Sequence, residues 1–309
     1  MGRQFFIDPT ADILPAKEDQ IFKSLLTRSE PEAKIVLMDL IGSVIGRKVT
    51  DVVIKNNELA TMDTSQKQER LDVNCEIDGK EFVNIEMQAS HTPEYPESNH
   101  KNVKNKSAYY GCDLFSSQSI KGKTYADLAK TYQITFIAYT VFQKADYRSN
   151  FYVMSEDGEK LTEELTIIFI ELSKLKEILK KPVEEMTSLE MWSVFFECVD
   201  DPKYRKIVNE IIGAKEEIQM ASTLLQTISQ DDYERARFLS RRKFENDVES
   251  ARNTAIKIAV DEAEKKAYEE KLEIAKNLLD VLDVETIAKK FNLTVKEVEE
   301  LKKTIKSGI

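Results

Sequence analysis

Glycine and proline are scarce in this chain of 309 residues, with nine and seven copies. So low a content argues against long disordered linkers. No apolar run approaches the roughly 20 residues needed to cross a bilayer. The first residues also lack an apolar segment like that of a signal peptide. We therefore expect a protein that neither crosses nor binds a membrane.

Cysteine and histidine are also rare. The three cysteines, Cys75, Cys112 and Cys198, are far apart and odd in number, which argues against a disulfide framework and against a paired-cysteine zinc site. The spacing of the two histidines, His91 and His100, matches no zinc motif. This usage fits a reducing compartment, and we expect a cytoplasmic location.

Positive charge is in deficit, because 45 lysines and arginines stand against 55 acidic residues and the net charge is −10. This balance counts against non-specific binding of nucleic acid by the whole surface. Two local stretches, 101–130 and 235–243, are basic instead. Each is interpreted either as a solvated helix face or as a phosphate-binding patch.

The most informative stretch is 69–88, which predicts two short strands joined at Asp78-Gly79. Apolar residues occupy the odd positions of both strands and polar residues the even positions. Since side chains alternate between the two faces of a strand, each strand has one apolar and one polar face. On pattern alone, the polar face is most simply a solvated surface.

The register of this hairpin follows from the alternation. Both apolar faces must point the same way, so the numbers of facing residues must add to an even sum. A two-residue turn would give an odd sum, and we therefore predict a three-residue loop with Gly79 or its neighbour in a bulge. Asp72 then shares a face with Glu86 and Gln88, either opposite Glu86 or one pair away. Two such carboxylates can bind one divalent cation.

An aspartate on one strand and Glu-x-Gln on the next resemble the core of the PD-(D/E)XK nucleases. The segments RLDV at 70–73 and NIEMQ at 84–88 are similar to the Rpn family of recombination-promoting nucleases and transposases. Further likenesses are the D-x-x-F-K pattern at 19–23, the tyrosine pair at 109–110 and ELSK at 171–174. The resemblance runs from about residue 15 to about residue 305.

The resemblance implies roles for particular residues. Asp72 and Glu86 would hold Mg²⁺, with Mn²⁺ or Ca²⁺ as alternatives, and Asp19, or failing it Glu18, would complete the metal site. Gln88 stands where most of the superfamily has a lysine. An amide does not titrate near neutral pH, so Gln88 could only hydrogen-bond a water or ligate the metal through its oxygen.

The region after the hairpin is expected to contact double-stranded DNA. A helix over about 100–120 would turn lysine and glutamine side chains towards the phosphate backbone. The expected DNA-binding residues are Lys104, Lys106, Tyr109, Gln118 and Lys123. The Gly-Lys-Thr at 122–124 is not a nucleotide-binding loop, because position 117 is serine where that motif needs glycine. No nucleotide cofactor is expected.

The remaining pattern predicts an α/β fold, a PD-(D/E)XK nuclease-like mixed sheet flanked by helices, followed by an all-helical C-terminal region. Two helices (16–27 and 32–45), a first strand (49–55), the hairpin, the helix, a strand (131–142) and a second hairpin (151–170) would form domain 1–175. Region 176–309 would contain a long charged helix over 235–275 and a helix-turn-helix-like end. There Thr294 and Glu297 would form a capping box.

These features together predict a Mg²⁺-dependent DNA endonuclease, with recombination or transposition as context by analogy. The alternative is a DNA-binding or regulatory protein that keeps the nuclease fold but cuts poorly or not at all. RNA as the substrate also stays open. The long helix after Arg235 offers a surface for a homodimer, which would suit double-strand cutting.

Overall fold

The computed structural model describes residues 6–55, 73–89, 96–118 and 124–306. The chain divides into two compact units, Met1–Phe238 and Leu239–Ile309. Within the described ranges, the strands are β1 (Val52–Ile54), β2 (Val73–Ile77), β3 (Glu81–Gln88), β4 (Thr131–Ile137), β5 (Arg148–Tyr152) and β6 (Leu165–Glu171). The α-helices are α1 (Asp19–Thr27), α2 (Pro31–Ile45), α3 (Pro96–Ser116), α4 (Ser188–Cys198), α5 (Arg205–Ala214), α6 (Glu216–Gln230), α7 (Asp232–Leu278), α8 (Val284–Phe291) and α9 (Val295–Lys306).

The six strands form one sheet in the order β1-β2-β3-β4-β6-β5. β3, β4 and β6 run parallel to one another, while β1–β2, β2–β3 and β5–β6 are antiparallel pairs. The predicted mixed sheet is therefore confirmed. Parallel pairing of β3 with β4 needs a crossover, and α3 lies in the connection between them.

The hairpin of β2 and β3 has the predicted register. Val73 faces Ile85 and Cys75 faces Val83, so the odd-numbered residues face each other. The loop between the strands has the predicted three residues, and Asp78 and Gly79 have φ angles of 52° and 69°. Gly79 adopts this left-handed conformation without the steric cost that a Cβ would bring.

The apolar face of the hairpin forms the main core with α1 and α2. Val83, Ile85 and Met87 of β3 are buried in one cluster with Phe22 and Leu25 of α1. Residues 21, 22, 25 and 26 of α1 recur at helical spacing, so all four apolar side chains are buried in the core. This packing holds the N-terminal turn of α1, which begins at Asp19, beside β3.

The helices after the sheet belong to the same core. Phe196 of α4 is fully buried, and its ring lies 5.2 Å from that of Phe22 and 5.6 Å from that of Phe136 in β4. The sequence predicts a domain boundary after residue 175, and the first compact unit extends to Phe238. The aromatic residues of α4 fill the core beneath the sheet.

Asp78 fixes the turn of the hairpin to the chain before β1. One of its carboxylate oxygens accepts hydrogen bonds from the backbone N–H and hydroxyl of Thr50, each 2.8 Å long. The other lies 2.6 Å from Nη1 of Arg47. The hydrogen bond from Arg47 and those from Thr50 hold the pKa of Asp78 well below its ordinary value.

Asp78→Ala is expected to lower the free energy of unfolding by about 2 kcal/mol at neutral pH, because hydrogen bonds to a charged group are lost. A lowered folded-state pKa gives stability that is present above the unfolded value, about 3.9, and is lost as pH falls through the folded value. Urea denaturation at pH 7 and pH 3 measures this. Asp78→Asn, which keeps an oxygen acceptor and tolerates positive φ, is the control and should lose less. Equal losses at both pH values would contradict the assignment.

The second compact unit is helical. Ala275, Ile287, Leu293 and Val298 form its core, and Asn292 ends α8 with a φ of 51°. The predicted capping box is confirmed, since the backbone N–H of Glu297 donates to Oγ1 of Thr294 and the Glu297 carboxylate accepts from the backbone N–H of residue 294. None of the helices that the structure describes could span a membrane.

Candidate active site

Glu86 lies on the polar face of β3 and is nearly inaccessible to solvent. Glu86 is 2% exposed, and it faces Thr135 of the parallel strand β4. The polar face of β3 is therefore not a solvated surface, because α3 packs against it. A carboxylate removed from water costs free energy unless other groups compensate its charge.

A chain of buried polar side chains surrounds Glu86. Nδ2 of Asn84 donates to Oε1 of Gln133 over 2.9 Å and lies 3.3 Å from Oε1 of Glu86. The hydroxyls of Ser107 in α3 and Thr135 in β4 are 2.9 Å apart. The bond between Asn84 and Gln133 joins β3 to β4, and the bond between Ser107 and Thr135 joins α3 to β4. Such bonds offset the cost of burying polar side chains.

Lys106 of α3 pairs with Glu86. Its Nζ lies 2.6 Å from Oε2 of Glu86 and 5.3 Å from the centre of the Tyr110 ring. The side chain of Lys106 is 33% exposed, so the ion pair has one buried and one partly open partner. The site thus holds a carboxylate and an ammonium group in direct contact at the edge of solvent.

The electrostatics of Glu86 show which groups lie near it. Burial raises the pKa of its carboxyl, and the positive charge and hydrogen bond of Lys106 oppose that rise. The negative charge of Asp19 raises the pKa further. Asp19, at the first turn of α1, is therefore close enough to Glu86 to interact with it electrostatically, which brings together two of the predicted site residues.

Gln88, the third residue of the motif, is partly buried two positions after Glu86 on β3. Its Nε2 donates to the backbone carbonyl oxygen of Met87 over 3.1 Å. Strand alternation places Gln88 on the same face as Glu86. Two other predicted site residues, Asp72 and Lys123, lie outside the residues that the structure describes.

The predicted DNA-binding residues of α3 differ in their surroundings. Lys104 is exposed, with its Nζ 4.8 Å from the centre of the Phe142 ring, and Tyr109 is 58% exposed. Gln118 instead ties the chain after α3 to the start of β4. Its amide donates to the carbonyl of Ala129 and accepts from the same residue's N–H, over 3.0 and 2.8 Å. These bonds give Gln118 a role within the fold.

Three of the polar residues near Glu86 are not predicted by the sequence. Ser107, Gln133 and Thr135 were not singled out, although they build the polar layer between α3 and the sheet. A signal was present, because Gln133 and Thr135 alternate with apolar residues along a strand of otherwise apolar character. Two polar side chains on one face of a central strand indicate a buried polar partner.

The donor chemistry of the site suits a hard divalent cation. Glu86 and Asp19 supply carboxylate oxygens and Gln88 an amide oxygen, the ligand types that Mg²⁺ and Ca²⁺ prefer. Within the described ranges, no group of three or more histidine, cysteine, aspartate or glutamate residues is arranged to hold a metal. Asp72, the remaining predicted ligand, lies outside those ranges.

Comparison with known proteins places the chain in a family. A family model described as PD-(D/E)XK nuclease family transposase matches residues 16–255, which is most of the chain. The matched segment contains every strand that the structure describes and the helices α1 to α6. Neither a search of curated proteins nor a search of solved structures found a match.

Proposed function

Because this chain belongs to the PD-(D/E)XK nuclease family transposases, we propose that it is a metal-dependent endonuclease that hydrolyses phosphodiester bonds in double-stranded DNA. Family membership supports a nuclease-like or transposase-like function. We propose the metal, the substrate and the site residues from the surroundings of Glu86.

The observation that carries the proposal is the burial of Glu86. Its carboxyl pKa is raised by that burial, so its charged form is less favourable in the folded protein than it would be in water. A carboxylate held at such a cost, in a cluster with another acid and a lysine, is typical of a functional site. A structural role would be met at lower cost by a neutral side chain, as the neighbouring Asn84 and Gln133 illustrate.

Glu86, Asp19 and Asp72 are the residues that would hold the cation, with Mg²⁺ as the first choice and Mn²⁺ or Ca²⁺ as alternatives. The five described residue pairs of the hairpin have one register, and the same register extended by one pair predicts that Asp72 faces Glu86. A cation held there would make a water more acidic and would offset the negative charge of the phosphate. Gln88 would orient a water through its amide, since it cannot take up a proton.

The substrate would bind along the exposed side of α3. Lys101, Lys104 and Tyr109 are exposed there, and a lysine-rich helix face suits a phosphate backbone. The acidic net charge of the whole chain would confine binding to such a local surface. Affinity should therefore fall steeply with added salt, because phosphate contacts release condensed counterions.

The proposal is tested by incubating the purified protein with supercoiled plasmid in Mg²⁺ or in EDTA, with Asp72→Ala alongside. Relaxed or linear plasmid in Mg²⁺, absent in EDTA and in the variant, is the expected result. No cleavage in Mg²⁺, Mn²⁺ or Ca²⁺ would overturn the proposal. Retained DNA binding in that case would favour the regulatory alternative, and cleavage of RNA only would overturn the choice of substrate.

A further inference from the structure

The third motif position lacks a positive charge, and a lysine from another element lies at the neighbouring carboxylate. Gln88 is neutral and bonds to the carbonyl of Met87. Lys106 approaches Glu86 from α3 and brings its ammonium group to 2.6 Å from Oε2. Among the described residues, Lys106 is the basic side chain paired with Glu86.

The position of Lys106 is fixed by close packing of α3 on the sheet. A Cβ on Gly111 would lie 3.3 Å from Cβ of Gln133 and 3.4 Å from Cγ1 of Ile167. The helix therefore approaches the strands more closely than a larger residue would permit. One turn earlier, the bond between Ser107 and Thr135 fixes its rotation about its own axis. Lys106 projects from this anchored turn.

Glu86 is buried, whereas a third of the Lys106 side chain remains open to solvent. Partial exposure is ordinary for a lysine in an ion pair, because burial of an ammonium group costs solvation. What distinguishes Lys106 is that its partner is the glutamate of the nuclease motif. An ammonium group that is in contact with the site and also reaches solvent is placed to meet a phosphate that arrives from outside.

We propose that Lys106 supplies the positive charge that the third motif position lacks, and that it stabilises the negative charge on the phosphate during hydrolysis. This inference rests on the proposed nuclease function. A water oxygen bonds to phosphorus, the bond to the leaving oxygen breaks with its electron pair, and the water's proton passes to solvent. Lys106 keeps its proton throughout and donates a hydrogen bond to a non-bridging phosphate oxygen. Its charge favours the transition state more than the bound substrate.

The test compares Lys106→Met, Lys106→Arg and the double variant Lys106→Met with Gln88→Lys. Lys106→Met should lower kcat for plasmid cleavage by about 100-fold with little change in KM, because the lost interaction strengthens in the transition state. Lys106→Arg should retain part of the activity. The double variant should have a kcat at least about tenfold higher than that of Lys106→Met, since Gln88→Lys places a positive charge on the face of β3 that carries Glu86.

A matched control comes from a second lysine paired with a buried glutamate. Nζ of Lys181 lies 2.6 Å from Oε1 of Glu190, with the lysine 42% and the glutamate 7% exposed. Lys181→Met removes an equivalent ion pair away from the site and should leave kcat unchanged. Thermal unfolding and metal-free DNA affinity, measured for every variant, separate lost structure or binding from lost chemistry.

Three outcomes would overturn the inference. The first is an unchanged kcat in Lys106→Met with reduced thermal stability, which would make the lysine structural. The second is a raised KM alone, which would make it a binding residue. The third is failure of both the arginine and the double variant to restore cleavage. A wild type that does not cut overturns the proposed function as well, and the wild-type reaction run first distinguishes that case.

Discussion

Glu86→Gln is expected to lower the rate of DNA cleavage by about 100-fold or more, because a neutral amide cannot balance a divalent cation as a carboxylate does. The substitution keeps the size and most of the shape of the side chain. Burial raises the pKa of Glu86, so its charge is a cost in the folded protein without metal. The variant should therefore be at least as stable as the wild type, because the folded state no longer bears a charge that burial disfavours. Lys106 loses its ion pair with Glu86, but its partly exposed ammonium group can turn to solvent.

Opposite effects on activity and stability would identify Glu86 as a functional residue. Plasmid cleavage at saturating Mg²⁺ and urea denaturation in EDTA measure the two effects. Glu81→Gln is the matched control, because Glu81 also pairs with a basic residue, Arg47, and lies at the first position of β3, away from Glu86. It should leave cleavage unchanged. A Glu86→Gln variant that still cuts, or that loses stability together with activity, would contradict the assignment.

Phe196→Ala is expected to lower the free energy of unfolding by about 3–5 kcal/mol, the usual cost of deleting a buried aromatic ring. The ring of Phe196 packs edge-on against Phe22 and Phe136 and is stacked 5.6 Å from Trp192. These contacts tie α4 to α1, which carries Asp19, and to β4, which faces Glu86. Urea denaturation of the metal-free protein gives the size of the loss.

Phe151→Ala is the control for that loss. Phe151 lies on the edge strand β5 and is 41% exposed, so its removal should cost about 1 kcal/mol. A chain ending after residue 175 would lack α4 altogether and should fail to fold. If Phe196→Ala cost no more than Phe151→Ala, or if the shortened chain folded, the single core spanning the sheet and α4 would be contradicted.

The sequence predicted the local features of the site well. Alternation of odd apolar and even polar residues determined both the register of the hairpin and its three-residue loop, because a slip of one residue would expose an apolar face. The motif placed Glu86 and Gln88 on one face for the same reason. The capping box of Thr294 and Glu297 was equally local and equally predictable.

The sequence could not predict the contacts that depend on chain segments far apart. Lys106 contacts Glu86 because α3, in the connection from β3 to β4, packs on the polar face of β3. The orientation of a helix on a sheet cannot be read from the residue pattern of either element. From its own residues, the polar face of β3 has the pattern of a solvated surface. In the fold, Gln133 and Thr135 of β4 lie beside it and are buried with it. The aromatic residues of α4 were recognised as core, but which elements they pack against depends on the whole fold.

Metal binding by Glu86 is the central claim, and binding of Mn²⁺, followed by electron paramagnetic resonance of the free ion, tests it without reference to activity. The wild type should bind Mn²⁺ that excess Mg²⁺ displaces. Glu86→Gln should weaken this binding by about tenfold or more, while Glu81→Gln should bind as the wild type does. Equal binding by the wild type and Glu86→Gln would contradict the claim and remove Glu86 from the metal site.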